Sequence, residues 1–265
     1  MPPIEKGVLE GLYGQCNRRE YVHPDPLEFL YPYHEPRDRE LAGLVASSLA
    51  YGRVTQILKS VSLVLDRMNP SPFSFLLHAT EKTLRSCFSN FKHRFTTGEE
   101  LARMLLGAKG AVEQYGSLHE CFIAGLEEED GNVLEALTAF VATLTHKFHH
   151  DRNSLLPSPA KGSACKRLNL FLRWMVRQDA VDPGGWSKVP PSKLVVPLDT
   201  HMHRIGLLLN LTTRRQADMR TALEVTRSFA FLSPTDPTRY DFVLTRFGIR
   251  KDMGLDALMQ KFSAA

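Results

Sequence analysis

Residues 161–173 read KGSACKRLNLFLR and follow a proline-bearing break at residues 156–159. Small residues lie four and two positions before Lys166, and apolar residues then recur at helical spacing. A tight turn of small residues that runs into a helix exposes backbone N–H groups at the positive end of the helix dipole, which suits a phosphate group. An ordinary loop with a solvated lysine would look the same, so this segment alone leaves both interpretations open.

Helical periodicity continues on both sides of this segment. Apolar residues recur at spacings of three and four in windows such as 41–49, 101–112 and 133–144. Alternating strand patterns are scarce. The chain is therefore predicted to be all-α, with about ten to twelve helices packed around two small cores.

Helix starts and lobes can also be assigned from the sequence. Asp38 is placed to cap a helix that begins directly after it, and Asp236-Pro237 has the pattern of a cap followed by proline at the first helical position. We predict a single two-lobed domain with a central cleft. Lobe A covers residues 37–180, and lobe B covers residues 1–36 together with 181–265.

Composition limits the class of protein. The 265 residues are 43% hydrophobic and 23% charged, which is ordinary for a globular protein. The four cysteines form no Cys-x-x-Cys pair, so neither a disulfide framework nor a metal or iron–sulfur motif is predicted. No apolar run approaches the length of about 20 residues that would span a bilayer. These features predict a cytoplasmic protein without a cofactor or a membrane partner.

Positive charge is concentrated in one part of the chain. The formal net charge is +4, and the segment from Lys161 to Arg177 holds five cations and no acid. Such a segment is compatible with a polyanionic partner such as a nucleic acid.

A second motif lies further along, where residues 195–205 read VVPLDTHMHRI. Apolar residues lead into Asp199, and Arg204 follows within the next two turns. As an isolated segment, this pattern is typical of a helix N-cap, which contributes about 1 kcal/mol.

Together the two segments resemble the helix-hairpin-helix DNA glycosylase superfamily, which includes endonuclease III, the adenine glycosylases and the 8-oxoguanine glycosylases. Gly162 and Ala164 match the hairpin glycines, Lys166 matches the lysine that opens the next helix, and Asp199-Thr200-His201 with Arg204 matches the second motif. The resemblance implies that the lysine is a Schiff-base nucleophile and the aspartate a catalytic carboxylate. The chain also resembles a bacterial group of uncharacterised proteins within this superfamily.

The resemblance also implies a set of DNA-binding residues. The stretch ending at residues 47–53 is similar to the family's turn that leads to a DNA-probing residue, which makes Tyr51 and Arg53 candidates to enter the duplex. Trp186 is a candidate to stack on an extruded base. The remaining expected DNA contacts are Lys161, Gly162, Ser163, Ala164, Arg167, His201 and Arg204.

Three departures from the family pattern stand out. No cysteine cluster follows Gly248, so no iron–sulfur cluster is predicted. Ala164 stands where glycine is usual. The connection from Lys166 to Asp199 is long and contains residues 182–186 (DPGGW), similar to the archaeal 8-oxoguanine branch, which could reposition Asp199.

The resemblance implies a base-excision repair enzyme, a DNA N-glycosylase with AP-lyase activity. Its expected partner is double-stranded DNA containing a damaged base, with 8-oxoguanine as the first expectation. It is expected to act as a monomer without a metal or other cofactor, and to be associated with the nucleoid when bound to DNA.

Two other functions remain open from the sequence. A non-catalytic helical DNA- or RNA-binding protein would share the basic segment and the hairpin. A metal-dependent hydrolase is suggested by residues 199–203 (DTHMH), which look like the opening of the amidohydrolase motif. Only residues 204–265 follow that segment, too few to build an eight-fold barrel.

Overall fold

The computed structural model describes residues 5–146 and 153–263. Within these ranges the chain forms thirteen α-helices and a single two-stranded antiparallel sheet, with short 3-10 turns between them. The all-α prediction is confirmed at the level of class. The elements are α1 Lys6–Cys16, α2 Pro36–Ser48, α3 Val54–Met68, α4 Pro72–His78, α5 Glu81–Cys87, β1 Lys92–His93, β2 Thr96–Thr97, α6 Gly98–Tyr115, α7 Leu118–Ile123, α8 Leu134–Thr145, α9 Lys166–Val176, α10 Thr200–Leu208, α11 Met219–Leu232, α12 Asp241–Ile249 and α13 Leu255–Ser263.

The central element is α9, whose residues from Leu168 to its end are all buried. It packs against α2, where Gly43 allows the closest approach. A Cβ at position 43 would lie 3.3 Å from the Phe171 ring, tighter than most side-chain contacts. This packing holds the first turn of α9, which carries Lys166, on a rigid support.

The long connection between α9 and Asp199 folds back onto α9. Gly184 N donates to Trp174 O at 3.0 Å, and Trp186 N donates to Met175 O at 2.8 Å. Gly184 and Gly185 both have positive φ, which lets the chain turn there. The DPGGW segment therefore packs at the far end of α9 and does not displace Asp199 from Lys166.

Two predicted helix starts are wrong. α2 begins at Pro36, and Asp38 instead accepts hydrogen bonds from Phe73 N (2.8 Å) and Ser71 Oγ (2.6 Å) at the start of α4. α12 begins at Asp241, and Asp236 instead accepts a hydrogen bond from Arg177 Nε at 2.9 Å. Both aspartates find partners far away in the sequence, which local pattern cannot reveal.

The buried apolar side chains of the described residues form one contiguous core. The division into lobes at residues 37–180 and 1–36 with 181–265 stays a prediction. Among the helices in the described part of the chain, none has the length and apolar character needed to cross a membrane.

Candidate active site

The loop before α9, residues 159–165, is called the hairpin loop below. It has the left-handed backbone that its small residues predicted at Gly162, where φ is 74°. Cys165 is also left-handed, with φ of 45°, and it directly precedes Lys166, the first residue of α9. Lys161, Gly162 and Ser163 are exposed, whereas Ala164 is buried. The exposed half of the loop is thus available to a ligand.

The hairpin loop is joined to the loop before α11. Met219 N donates to Gly162 O at 3.3 Å, and Ser163 pairs with Asp218 in an isolated β-bridge. These contacts fix the position of the hairpin loop from outside its own segment. The loop before α11 therefore forms part of the same surface.

Asp199 has two separate roles, one for each carboxylate oxygen. Oδ1 caps α10 by accepting from His201 N at 2.9 Å and Met202 N at 2.8 Å. Oδ2 lies 3.8 Å from Lys166 Nζ. The N-cap interpretation and the catalytic interpretation are therefore compatible, because the cap leaves one oxygen directed to the lysine.

Lys166 and Asp199 are sheltered but accessible. Their side chains are 29% and 22% exposed, respectively. The Nζ to Oδ2 distance is longer than a hydrogen bond and corresponds to an ion pair. Lys166 Nζ also lies 3.5 Å from Ala50 O, so the amine is held between α9, the end of α2 and the start of α10.

A cavity of about 500 Å³ adjoins this pair, and it is called the main cavity below. Its volume is within the range of small-molecule sites. Most of its wall is apolar, and Lys166, Asp199 and His201 contribute polar groups. The apolar lining residues are Pro24, Pro26, Ala50, Val54, Ile57, Leu170, Leu198, Ala217 and Ile249.

A second cavity of about 360 Å³ lies beside the first. The two share Ala50, Tyr51, Lys166 and Ala217, so Lys166 stands on the boundary between them. The hairpin loop lines the second cavity. The apolar main cavity and the second cavity, which the hairpin loop lines, therefore meet at the Lys166 amine.

Tyr51 lines both cavities, but its hydroxyl is engaged elsewhere. The hydroxyl lies 2.8 Å from His93 O and 2.7 Å from Thr96 Oγ1. Its ring packs under Phe95, with centroids 5.0 Å apart. Tyr51 therefore anchors the turn between β1 and β2 and is itself only partly exposed, whereas the neighbouring Arg53 is exposed.

Phe95 was missed from the sequence. It stands in the turn between β1 and β2 and is 62% exposed, unusual for a large apolar side chain. Its ring is stacked on Tyr51 beside the two cavities. The helical pattern around it gave no signal, because the two strands are only two residues each.

Arg167 is half-buried and lines the second cavity. Its guanidinium donates to Ser48 O at 2.8 Å and to Ser154 O at 2.5 Å, and it lies 5.0 Å from the centre of the Tyr51 ring. Burial lowers the pKa of Arg167 from its ordinary value. Two of its donor groups bind backbone carbonyls of the protein, and its expected DNA contact stays a prediction.

The basic segment is also less available than its sequence indicated. Arg173 is 2% exposed and forms ion pairs with Asp182 and Asp241. Arg177 is 3% exposed and pairs with acids from the DPGGW connection and the segment before α12. Two of the five cations, Arg173 and Arg177, are therefore buried and paired within the protein.

Trp186 is a core residue, and its predicted role in stacking on a base is corrected. It is 1% exposed, and its Nε1 donates to Glu40 Oε2 at 3.1 Å. Its ring lies against those of His119, Phe122 and Phe171. A buried ring with this many neighbours has no face free for a nucleobase.

The segment 199–203 does not form the amidohydrolase motif. Its residues begin α10, whereas the barrel enzymes place the motif on a strand. His203 Nε2 lies 2.8 Å from Arg214 O, whereas His201 lines the main cavity. No group of histidine, cysteine or acidic side chains in the described ranges could hold a metal ion.

Arg204 is exposed on α10.

Asp25 is a further acidic residue in the wall of the main cavity that the sequence did not single out. It stands between Pro24 and Pro26. Asp-Pro is a common helix start, so the local pattern indicated a cap and nothing more. Its position in the wall of the same cavity as Lys166 depends on long-range packing.

The fold and this site define an all-α protein with an amine and a carboxylate at the edge of an apolar cavity. The chain matches the model of a protein family of unknown function, DUF2400, over residues 25–250. It belongs to the DUF2400 family. Comparisons with curated proteins and with solved structures gave no match.

Proposed function

We propose that this protein is a DNA N-glycosylase with AP-lyase activity on a helix-hairpin-helix glycosylase-like fold. One observation carries the proposal. Lys166 Nζ and Asp199 Oδ2, from two helix starts far apart in the sequence, lie 3.8 Å apart at an apolar cavity of about 500 Å³. A protein that only binds nucleic acid requires neither an amine nor a carboxylate at the edge of such a cavity.

The chemistry uses both groups at C1′ of the damaged nucleotide. Lys166 first loses its ammonium proton to solvent. The uncharged amine attacks C1′, and the bond from C1′ to the base breaks as the base leaves with the electron pair. Asp199 stabilises the positive charge that develops on the sugar. A proton then passes from nitrogen to O4′ as the sugar ring opens to an imine, and loss of a proton from C2′ expels the 3′ phosphate by elimination, which cleaves the strand.

The surroundings fit an extruded nucleotide. Removing a base from the stack costs a few kcal/mol, which phosphate contacts and a pocket must offset. The exposed Lys161 offers a positive charge, and the exposed Ser163 offers a hydroxyl group in the wall of the second cavity. The main cavity offers apolar walls for the base. Arg53 and Arg204 are also exposed and are further candidates for phosphate contacts.

Phe95 is proposed to fill the duplex where the base has left. The probing role was expected of Tyr51, but the Tyr51 hydroxyl is bound within the protein and its ring is covered by Phe95. Phe95 is the exposed ring of this stack. Apolar side chains that enter a base step are common in proteins that distort DNA.

Borohydride trapping tests the proposal. The protein is incubated with duplexes that carry 8-oxoguanine or other damaged bases, and borohydride reduces any imine to a stable amine. We expect a covalent protein–DNA adduct that is lost in Lys166→Gln. Lys188→Gln is the matched control, since Lys188 is exposed and pairs with Glu120 away from both cavities.

The outcomes separate the two remaining functions. An adduct that depends on Lys166 supports the enzyme. A duplex mobility shift without an adduct on any damaged base would support the non-catalytic DNA- or RNA-binding protein. An adduct that persists in Lys166→Gln would show that another amine reacts, and it would overturn the assignment of the nucleophile.

A further inference from the structure

The main cavity contains a second carboxylate besides Asp199. Asp25 lies in its wall, between Pro24 and Pro26, among side chains that are mostly apolar. Its side chain is 14% exposed, whereas its partner Arg246 is 2% exposed. A carboxylate among apolar side chains must be stabilised by specific contacts, because burying a charge costs free energy unless the charge is paired.

Asp25 is held in place by two contacts. Oδ1 accepts from Leu27 N at 3.0 Å, and Oδ2 accepts from Arg246 Nη2 at 2.9 Å. The prolines on both sides restrict its backbone. The ion pair with Arg246 favours the ionised carboxylate, which accepts hydrogen bonds and cannot donate them.

Acceptor capacity remains after these two contacts. A carboxylate has about four lone-pair sites, so about two are still free for a ligand. Lys166 and Asp199 are committed to the sugar in the proposed reaction. Asp25 is then the carboxylate in the wall of the main cavity that the reaction at the sugar leaves uncommitted.

We propose that Asp25 reads the edge of the extruded base and selects bases that present N–H donors there. This inference rests on the proposed function and names its substrate class. A guanine-type base presents N1–H and an exocyclic N2 amino group on one edge, and both can donate to one carboxylate. An adenine-type base has an N6 amino group on this edge, but it presents a lone pair at N1 and has no amino group at C2. It therefore cannot donate twice to one carboxylate, and the carboxylate repels the N1 lone pair.

The test uses three duplexes whose damaged bases differ on this edge. They carry 8-oxoguanine, 8-oxohypoxanthine, which lacks the N2 amino group, and 8-oxoadenine, which also lacks N1–H. Affinities are measured by fluorescence anisotropy with Lys166→Gln, so that no covalent step contributes. We expect 8-oxoguanine to bind at least about tenfold more tightly than 8-oxoadenine, with 8-oxohypoxanthine between them.

A variant identifies the residue responsible. Asp25→Asn, made in the Lys166→Gln background, keeps an oxygen for Leu27 N but loses the charge. It should bring the three affinities to within about threefold of each other, since the charged acceptor is gone. Asp66→Asn is the matched control, because Asp66 is exposed on α3 and accepts only from Ser62 within its own helix. It should keep the ranking.

The outcomes are separable from those of the proposed function. Equal or inverted affinities, or no binding to any of the three duplexes, would overturn the role of Asp25 whatever borohydride trapping shows. A ranking retained in a folded Asp25→Asn would also overturn it. The expected ranking without any trapped adduct from the unaltered protein would support base reading by Asp25 while rejecting the glycosylase. If Asp25→Asn does not fold, the ranking with Asp25 intact decides.

Discussion

His201 lies directly over Gly248, so that a Cβ at position 248 would be 2.7 Å from His201 Nδ1 and 3.0 Å from His201 Cβ. Real Cβ atoms essentially never approach another atom as closely as 2.7 Å, so the His201 ring would have to move. The 3.0 Å contact with His201 Cβ, which cannot rotate away, would also shift the start of α10 by a few tenths of an ångström. Gly248→Ala should therefore displace the turn that carries Asp199. We expect the yield of borohydride adduct to fall at least about tenfold, which corresponds to about 1.4 kcal/mol.

The folded state of Gly248→Ala should be affected less than the reaction. Overpacking costs about 1–3 kcal/mol, and replacing a helical glycine by alanine returns about 1 kcal/mol. Gly110→Ala in α6 is the control, since a Cβ there meets nothing within 4 Å. Urea denaturation measures the free energy of unfolding of both variants, Gly248→Ala and Gly110→Ala. A Gly248→Ala protein with full adduct yield would show that the contact does not position Asp199.

The two roles of Asp199 can be separated by substitution. Asp199→Asn keeps an oxygen for His201 N and Met202 N, so the free energy of unfolding should change little. Asp199→Ala removes the cap as well and should cost about 0.5–2 kcal/mol. Both variants lose the charge near Lys166 Nζ, and both should lose most of the proposed glycosylase activity.

The comparison between these two variants is the decisive measurement. Thermal or urea unfolding gives the stability of each, and single-turnover release of the base gives the activity. If Asp199→Asn retained the activity of the unaltered protein, the carboxylate would be a cap alone.

The helix starts at Lys166 and Asp199 could be predicted from the sequence because each motif is local. A small-residue turn before a helix and an aspartate at a helix start depend on backbone geometry over a few residues. Gly162 and the cap by Asp199 appear where predicted. The pairing of the two residues came from the family resemblance, since spacing along the chain does not reveal distance in space.

Arg173 and Trp186 could not be assigned from the sequence, because burial is not a local property. Arg173 pairs with two acids. Asp182 follows it by nine residues, and Asp241 lies in another helix. Trp186 is surrounded by rings from three other segments. A proline- and glycine-rich stretch indicated an exposed loop, whereas its tryptophan fills the core.

His93 should titrate below its ordinary pKa. Its ring is fully buried, with Nδ1 2.9 Å from Ser60 Oγ and Nε2 3.0 Å from Tyr51 O, and burial lowers the pKa of His93 from 6.5. The folded state therefore binds fewer protons than the unfolded state. The stabilisation is complete above pH 6.5 and is lost as the pH falls below it.

Two measurements check the behaviour of His93. An NMR titration of its imidazole should give a midpoint below 6.5, and His93→Gln should flatten the loss of stability on acidification below that pH. His34→Gln is the control, because His34 is exposed and its loss should leave the slope unchanged. A midpoint at or above 6.5 would contradict a neutral, buried imidazole under the turn that carries Phe95.

Phe95→Ala should weaken DNA binding with little effect on stability. The side chain is 62% exposed and makes its ring contact with Tyr51, so the free energy of unfolding should fall by at most about 1 kcal/mol. Stacking of an aromatic ring on a base contributes about 1–3 kcal/mol, so affinity for a damaged duplex should fall about tenfold. Phe231→Ala is the control, since Phe231 is 89% exposed on α11 and lines neither cavity. Equal affinities of these two variants, measured by anisotropy, would show that Phe95 does not enter the duplex.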